Sequence, residues 1–365
     1  MEWSPQQDEA LKQVAAWLKR GTPQVFRLFG FAGTGKTTLA RHFAEGIDGE
    51  VAFGAYTGKA AHVLRQKGCA DAATIHSLIY RPKAMEDEEA PLFTINRESA
   101  ASKADLIVID ECSMVDEELG RDLLSFGVPV LVLGDPAQLP PVKGGGFFTE
   151  HEPDAMLTEV HRQARDNPII RLSMEIREGA ERLAVGDYGD SRVIRRADID
   201  AGAVLACDQV LVGLNKTRRL YNRRMRELKG FRDPMPAVGE KLVCLRNDKK
   251  KGLLNGGAWT VKALREPLKG FVRLELTPED EGRRKAVKVK VLREFFEGEG
   301  EEIPFMIRRE SDEFDYGYAM TVHKSQGSQW DDVVLFDESW AFREHRTRWL
   351  YTGLTRAARR ITVVV

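Results

Sequence analysis

Nearly continuous apolar runs of strand length alternate with stretches whose apolar residues recur every three or four positions. VFRLF (25–29), LIVI (106–109) and VPVLVLG (128–134) show little polar alternation, the pattern of strands covered on both faces in a parallel sheet. Before the first of them, WSPQQDEALKQVAAWLKRG (3–21) predicts an amphipathic helix with Ser4 as N-cap, Pro5 in the first turn, and Leu11, Val14, Ala15 and Leu18 on one face. TTLARHFAEGI (37–47) keeps helical spacing through Leu39, Phe43 and Ile47. VAFGAYTGKAAHVLRQ (51–66) predicts a strand, a turn at Thr57 and Gly58, and a helix bearing Lys59, His62 and Arg65; ATIHSLIY (73–80) predicts a capped core helix. Residues 81–103 are polar and acidic, broken by Pro82 and Pro91, and read as an excursion in which PLFTIN forms one arm of a hairpin.

The pattern changes in the second half. LNKTRRLYNRRMRELKGFR (214–232) predicts a basic helix in which Lys216, Arg218, Arg219, Arg223, Arg224, Arg226, Lys229 and Arg232 face a single acid, Glu227. Such a helix can track a phosphate backbone or simply present a solvated face. From 237 to 312, EKLVCLRN, AWTVKALR, FVRLELT and KAVKVKVL predict short strands between glycine-bearing turns, as in a small barrel.

Chemistry enters at GFAGTGKTT (30–38), which lies between the first strand and the second helix. Gly30, Gly33 and Gly35 free the loop so that successive backbone N–H groups, with those of Thr34 and Thr38, converge on phosphates; Lys36 reaches the β- and γ-phosphates of ATP, and Thr37 offers its hydroxyl to Mg²⁺. Asp110 and Glu111 end the second buried run, LIVI, where Asp110 can hold Mg²⁺ through its water shell and Glu111 can orient or deprotonate an attacking water. Gln138 follows the third run, as a neutral amide able to distinguish ATP from ADP. Gln7 is a candidate adenine reader or, alternatively, a surface glutamine.

A net charge of −1 gives no global electrostatic case for nucleic acid, which must then rest on local patches. Cys69, Cys112, Cys207 and Cys244 lack CxxC spacing, against a disulfide framework or a zinc site. With no basic-apolar leader and no apolar run of membrane-span length, a cytoplasmic chain with no membrane partner is expected.

The phosphate loop, DECSMVD (110–116) and GDPAQLPPV (134–142) together resemble motifs I, II and III of a superfamily 1 DNA helicase of the RecD and Dda branch. AYTGKAA (55–61) resembles motif Ia, TIHSL (74–78) motif Ib, LTEVHRQARDNPII (157–170) motif IV, YAMTVHKSQGSQWDDVVL (318–335) motif V, and LYTGLTRA (350–357) motif VI. The resemblance implies an α/β fold of two RecA-like P-loop lobes with parallel sheets. The first lobe would be 1–147 with a strand-separating hairpin at 81–103, the second 148–236 and 313–365, with an SH3-like barrel inserted at 237–312. It also implies Arg162 and Arg356 as cations meeting the γ-phosphate. Nucleic-acid contacts would come from Thr57, Lys59, Thr74 and His76 in the first lobe and Thr321, His323, Lys324, Ser325 and Gln326 in the second, with Phe93 stacking at the hairpin. Tyr56, Cys112 and Gln329 depart from the family's usual wording. The expected activity is ATP-dependent 5′-to-3′ movement on single-stranded DNA and DNA forks by a monomer, with replication or recombination proteins as partners. An RNA-directed motor and a non-translocating DNA-binding ATPase switch are the alternatives.

Overall fold

The computed structural model of the chain describes residues 3–82, 93–140, 146–159, 167–248, 251–266, 268–279, 285–298, 300 and 303–365. The chain divides into two compact units, one reaching residue 183 and including 344–355, the other comprising 184–343 and 356–365.

The first unit is built on a six-stranded parallel sheet of β1 (Val25–Gly30), β2 (Val51–Ala55), β3 (Ala73–Thr74), β6 (Leu106–Asp110), β7 (Val130–Gly134) and β8 (Ala155–Leu157), in the order β3-β2-β6-β7-β1-β8. Between β3 and β6, β4 (Tyr80–Pro82) and β5 (Phe93–Ile95) form a separate antiparallel hairpin. The apolar runs of the sequence are this sheet's centre, and their alternate residues feed two cores. Ile107, Ile109, Val130 and Val132 face Ile75, Leu78, Ile79, Leu119 and Leu123 from α4 (Ile75–Ile79) and α6 (Glu117–Leu124). Leu106, Val108, Leu131 and Leu133 face Ala10, Val14, Trp17, Leu39 and Ala40 from α1 (Pro5–Arg20) and α2 (Lys36–Glu45). Helix α3 (Gly58–Gln66) and the short α5 (Ala100–Lys103) complete the N-terminal layer order.

Two expectations shift here. Helix α1 buries Gln7, Ala10, Val14 and Trp17, while Ala15 is exposed, because the indole of Trp17 draws the buried stripe toward its own side. The first unit also continues past the expected boundary at 147: β8 pairs with β1 in the register Leu28↔Ala155 to Gly30↔Leu157, and the Pro168–Arg177 helix belongs to the same unit.

The second unit has a six-stranded sheet in the order β17-β11-β18-β19-β10-β9, from β9 (Gly186–Tyr188), β10 (Ser191–Ile194), β11 (Gln209–Val212), β17 (Ala319–Thr321), β18 (Trp330–Phe336) and β19 (Ala357–Val364). Only the β9–β10 pair is antiparallel. A five-stranded antiparallel sheet, β15-β14-β13-β12-β16, is formed by β12 (Lys241–Cys244), β13 (Ala258–Leu264), β14 (Phe271–Pro278), β15 (Val287–Leu292) and β16 (Phe314–Tyr316). Strand β16 belongs to this sheet through Leu242↔Tyr316, so Phe314–Tyr316, expected in the lobe, instead complete the small sheet. A bridge between Val291 and Asp312 brings its two edges together.

The basic helix forms as Asn215–Leu228, but its cations do not all face water. Arg218 is buried against Asp315 of β16. The Arg226 guanidinium grips both carboxylate oxygens of Glu240 at 2.7 and 2.9 Å and donates to the carbonyls of Asp233 and Met235. Helical spacing places positions 218, 222, 225 and 226 on the inward face with Tyr221 half-buried beside them, while Arg219, Leu220, Arg223 and Arg224 remain exposed.

The four thiols are free, and no helix among the described residues is long and apolar enough to cross a membrane.

Candidate functional site

At the carboxyl end of β1 the chain turns through the phosphate loop into α2. Gly33 and Gly35 both sit at φ 80, a left-handed conformation that side chains disfavour. Gly30 serves differently: a Cβ there would fall 2.6 Å from the Thr34 hydroxyl and 2.8 Å from Leu157 Cβ, so its role is close approach rather than an unusual φ. Helix α2 begins at Gly35 with no side-chain cap, which leaves its first amides directed at the loop's concavity. Lys36 Nζ donates to the loop's own carbonyls, Gly30 O at 2.6 Å and Phe31 O at 3.1 Å. Those are neutral acceptors that phosphate oxygens would outcompete.

The carboxyl end of β6, which β7 separates from β1, supplies the acids. Thr37 Oγ1 donates to Asp110 Oδ2 at 2.8 Å, so the two oxygen donors required for a hard divalent cation already adjoin. The other Asp110 oxygen accepts the Glu111 N–H at 2.8 Å. Glu111 itself adopts φ 54, ψ 48, a strained conformation for a residue with a Cβ and one that concentrates at functional positions.

Gln7 is not at the surface. It is 3 % exposed, and its Oε1 accepts from Ser4 N while its Nε2 donates to Thr34 O at 3.1 Å. The side chain thus closes a capping box on α1 and tethers the phosphate loop. Gln138 is buried, with an Oε1 that has no hydrogen-bond partner among the described residues.

Two residues absent from the sequence reading join this site. Tyr351, on the Arg346–Leu354 helix, is 2 % exposed; its hydroxyl donates to Asp135 Oδ2 at 2.7 Å and accepts the Ala32 N–H of the phosphate loop at 3.0 Å. Burial, reinforced by the Asp135 carboxylate, pushes its phenol well above the ordinary value, so it remains a proton donor. Thr352 Oγ1 accepts the Leu139 N–H at 3.0 Å. The polar positions in LYTGLTRA were the available signal, but their partners lie more than 200 residues away (216 for Tyr351 and Asp135) and leave no local pattern.

Of the nucleic-acid candidates in the first unit, Thr57 caps α3 through Ala60 N and Thr74 caps α4 through Ser77 N, so both hydroxyls hold backbone. Lys59 is buried, and burial lowers the His76 pKa against the opposing pull of Asp116. Phe93 is 55 % exposed and lies 6.3 Å, ring to ring, from Tyr80 across the hairpin. In the second unit Thr321, Ser325 and Gln326 are buried, His323 is half-buried and Lys324 exposed. Ser325 Oγ donates to Val322 O at 2.7 Å and closes its own turn. Arg356, in the second unit, is buried and donates to Ser328 O at 3.3 Å. Arg162 lies outside the described residues.

A family model described as an AAA domain matches residues 2–198, and a UvrD-like helicase C-terminal domain matches 316–364. The chain is 29% identical over 367 residues to the ATP-dependent RecD2 DNA helicase of Deinococcus radiodurans, across 90% of this chain and 45% of that protein. It is 25% identical over 381 residues to the ATP-dependent DNA helicase Pif1 of Bdellovibrio bacteriovorus, across 91% of this chain and 81% of the relative. Among solved structures, Bacteroides Pif1 helicase in complex with ADP-AlF3 and ssDNA superposes with a TM-score of 0.57 at 18% identity, covering 99% of this chain and 92% of that one. The fold is therefore that of two RecA-like lobes. The chain spans less than half the length of the RecD2 relative.

Proposed function

The chain belongs to the superfamily 1 helicases of the RecD and Pif1 type, and from that premise we propose that it is an ATP-dependent DNA helicase moving 5′-to-3′ on single-stranded DNA. The observation that carries the reading is the convergence of Lys36, the Thr37–Asp110 pair and the strained Glu111 at the carboxyl ends of β1 and β6, parallel strands on either side of β7.

In this reading the amides at the start of α2 and the Lys36 ammonium bind the β- and γ-phosphates, and Lys36 exchanges its loop carbonyls for them. Mg²⁺, held by Thr37 and through water by Asp110, would offset phosphate charge. Glu111 orients the attacking water and takes its proton, while the buried Gln138 amide reports the γ-phosphate. Arg162 and Arg356 supply positive charge to the transferring phosphoryl group. Gln7, whose amide donates to Thr34 of the phosphate loop, is the proposed reader of adenine.

Single-stranded DNA and forks are the proposed partners. Lys59, His76, His323 and Lys324 supply contacts, with Thr57, Thr74, Thr321, Ser325 and Gln326 shaping the backbone that presents them. The Val291–Asp312 bridge supports reading the five-stranded sheet as an SH3-like barrel inserted in the second lobe, and Phe93 supports a strand-separating role for the hairpin.

Steady-state ATP hydrolysis with and without single-stranded DNA, followed by strand displacement on duplexes with a 5′ or a 3′ tail, tests the reading. DNA-stimulated hydrolysis and unwinding from the 5′ tail are expected. Stimulation by RNA in preference to DNA, or none by either, would overturn it.

A further inference from the structure

In the second unit's sheet, β17, β11 and β18 are adjacent and parallel, so their carboxyl ends share one edge, the edge at which open α/β sheets bind ligands. HKSQG leaves β17 at this edge, and the Gly213 turn leaves β11. The segment that leaves β18 is pinned at two points. Glu338 Oε2 accepts the Gly213 and Leu214 N–H groups at 2.7 and 3.0 Å, and its Oε1 accepts the Thr217 hydroxyl. Four residues on, the Phe342 ring lies 5.2 Å from that of His323 and packs so close to Gly213 that a Cβ there would meet it at 2.9 Å.

Between the pins stands Trp340, 66 % exposed, whereas Trp17, Trp259 and Trp349 are at most 2 % exposed. A large indole held in water by a segment fixed on both sides gains nothing from the fold itself. Its flat face has what a nucleobase needs, and stacking on an aromatic tolerates any base. Arg343, three residues on, and Lys324, next in sequence to the His323 that lies against Phe342, are exposed cations suited to the phosphates of the same strand.

We propose that Trp340 is a base-stacking site for single-stranded nucleic acid at the carboxyl edge of the second unit's sheet. This rests on the DNA-motor reading above and adds to it a contact made with a base, where the other candidates in this unit address the backbone.

The test uses the full chain, oligo-dT and an oligomer of equal length with abasic positions. Oligo-dT should quench the wild-type tryptophan fluorescence. Trp340→Leu should lose most of that quenching and bind oligo-dT at least about 10-fold more weakly. Trp340→Phe should retain most of the affinity, ATP hydrolysis without DNA should be unchanged in both variants, and the abasic oligomer should bind wild type and Trp340→Leu alike. Equal oligo-dT affinity in wild type and Trp340→Leu overturns the stacking site while leaving the motor reading in place. A wild type that binds neither oligomer overturns both.

Discussion

Glu111 carries a backbone strain that most glutamates would not tolerate, and the variant that best probes it keeps the side chain's size. Glu111→Gln should lower kcat by about 10²- to 10⁴-fold with little change in nucleotide affinity, because water activation fails while the phosphate cradle stays intact. Lys36→Ala should instead lose both binding and turnover, as judged by equilibrium nucleotide binding beside steady-state kinetics. Tyr351→Phe keeps the ring but removes the acceptor of the Ala32 N–H and the donor to Asp135 Oδ2, at a cost of about 1–3 kcal/mol in urea unfolding. Its KM for ATP should rise more than its kcat falls, since the lost bond is to the binding loop. At His76 the sign follows from burial: the unfolded chain takes up a proton near 6.5, whereas the folded one resists until lower pH. Stability from this residue is therefore full above that value and declines below it. Urea midpoints between pH 7.5 and 5.5 should fall further for wild type than for His76→Gln.

Elements were legible in the sequence in proportion to how local their cause is. The strands β1, β6 and β7 are unbroken apolar runs, and burial of both sheet faces leaves no other way to write them. The face of α1 was misjudged because hydropathy ranks Leu11 and Leu18 above Ala10, while packing ranks Trp17 first. The glycine-rich loop after β1 and the acidic pair at the end of β6 could be read from spacing; the Tyr351 hydrogen bonds could not, since their partners come from tertiary closure. The hairpin is intermediate. The pairing of β4 with β5 matches the expected arm, but its far part, in 83–92, lies outside the described residues. Phe93, exposed yet beside Tyr80, should on change to Ala reduce unwinding more than DNA-stimulated hydrolysis, measured on the same fork substrate. Equal losses would assign it to packing alone.

For the molecule as a whole, composition was silent: a chain of net charge −1 announces no polyanion partner, and the electrostatic case is made by particular side chains at sheet edges. The basic helix illustrates the point, since two of its strongest cations are spent internally. Arg226→Ala leaves Glu240, 0 % exposed, as a buried uncompensated charge, and should destabilise the chain by about 3–5 kcal/mol in urea unfolding. The same two ion pairs have a mechanical meaning. Arg218 fastens the helix to β16, and Arg226 fastens it to Glu240 at the entry to β12, so two neighbouring strands are riveted to one rod along its length. A force that pulls on these two strands is passed through both ion pairs to the helix, and along it to the turn where the helix meets β11.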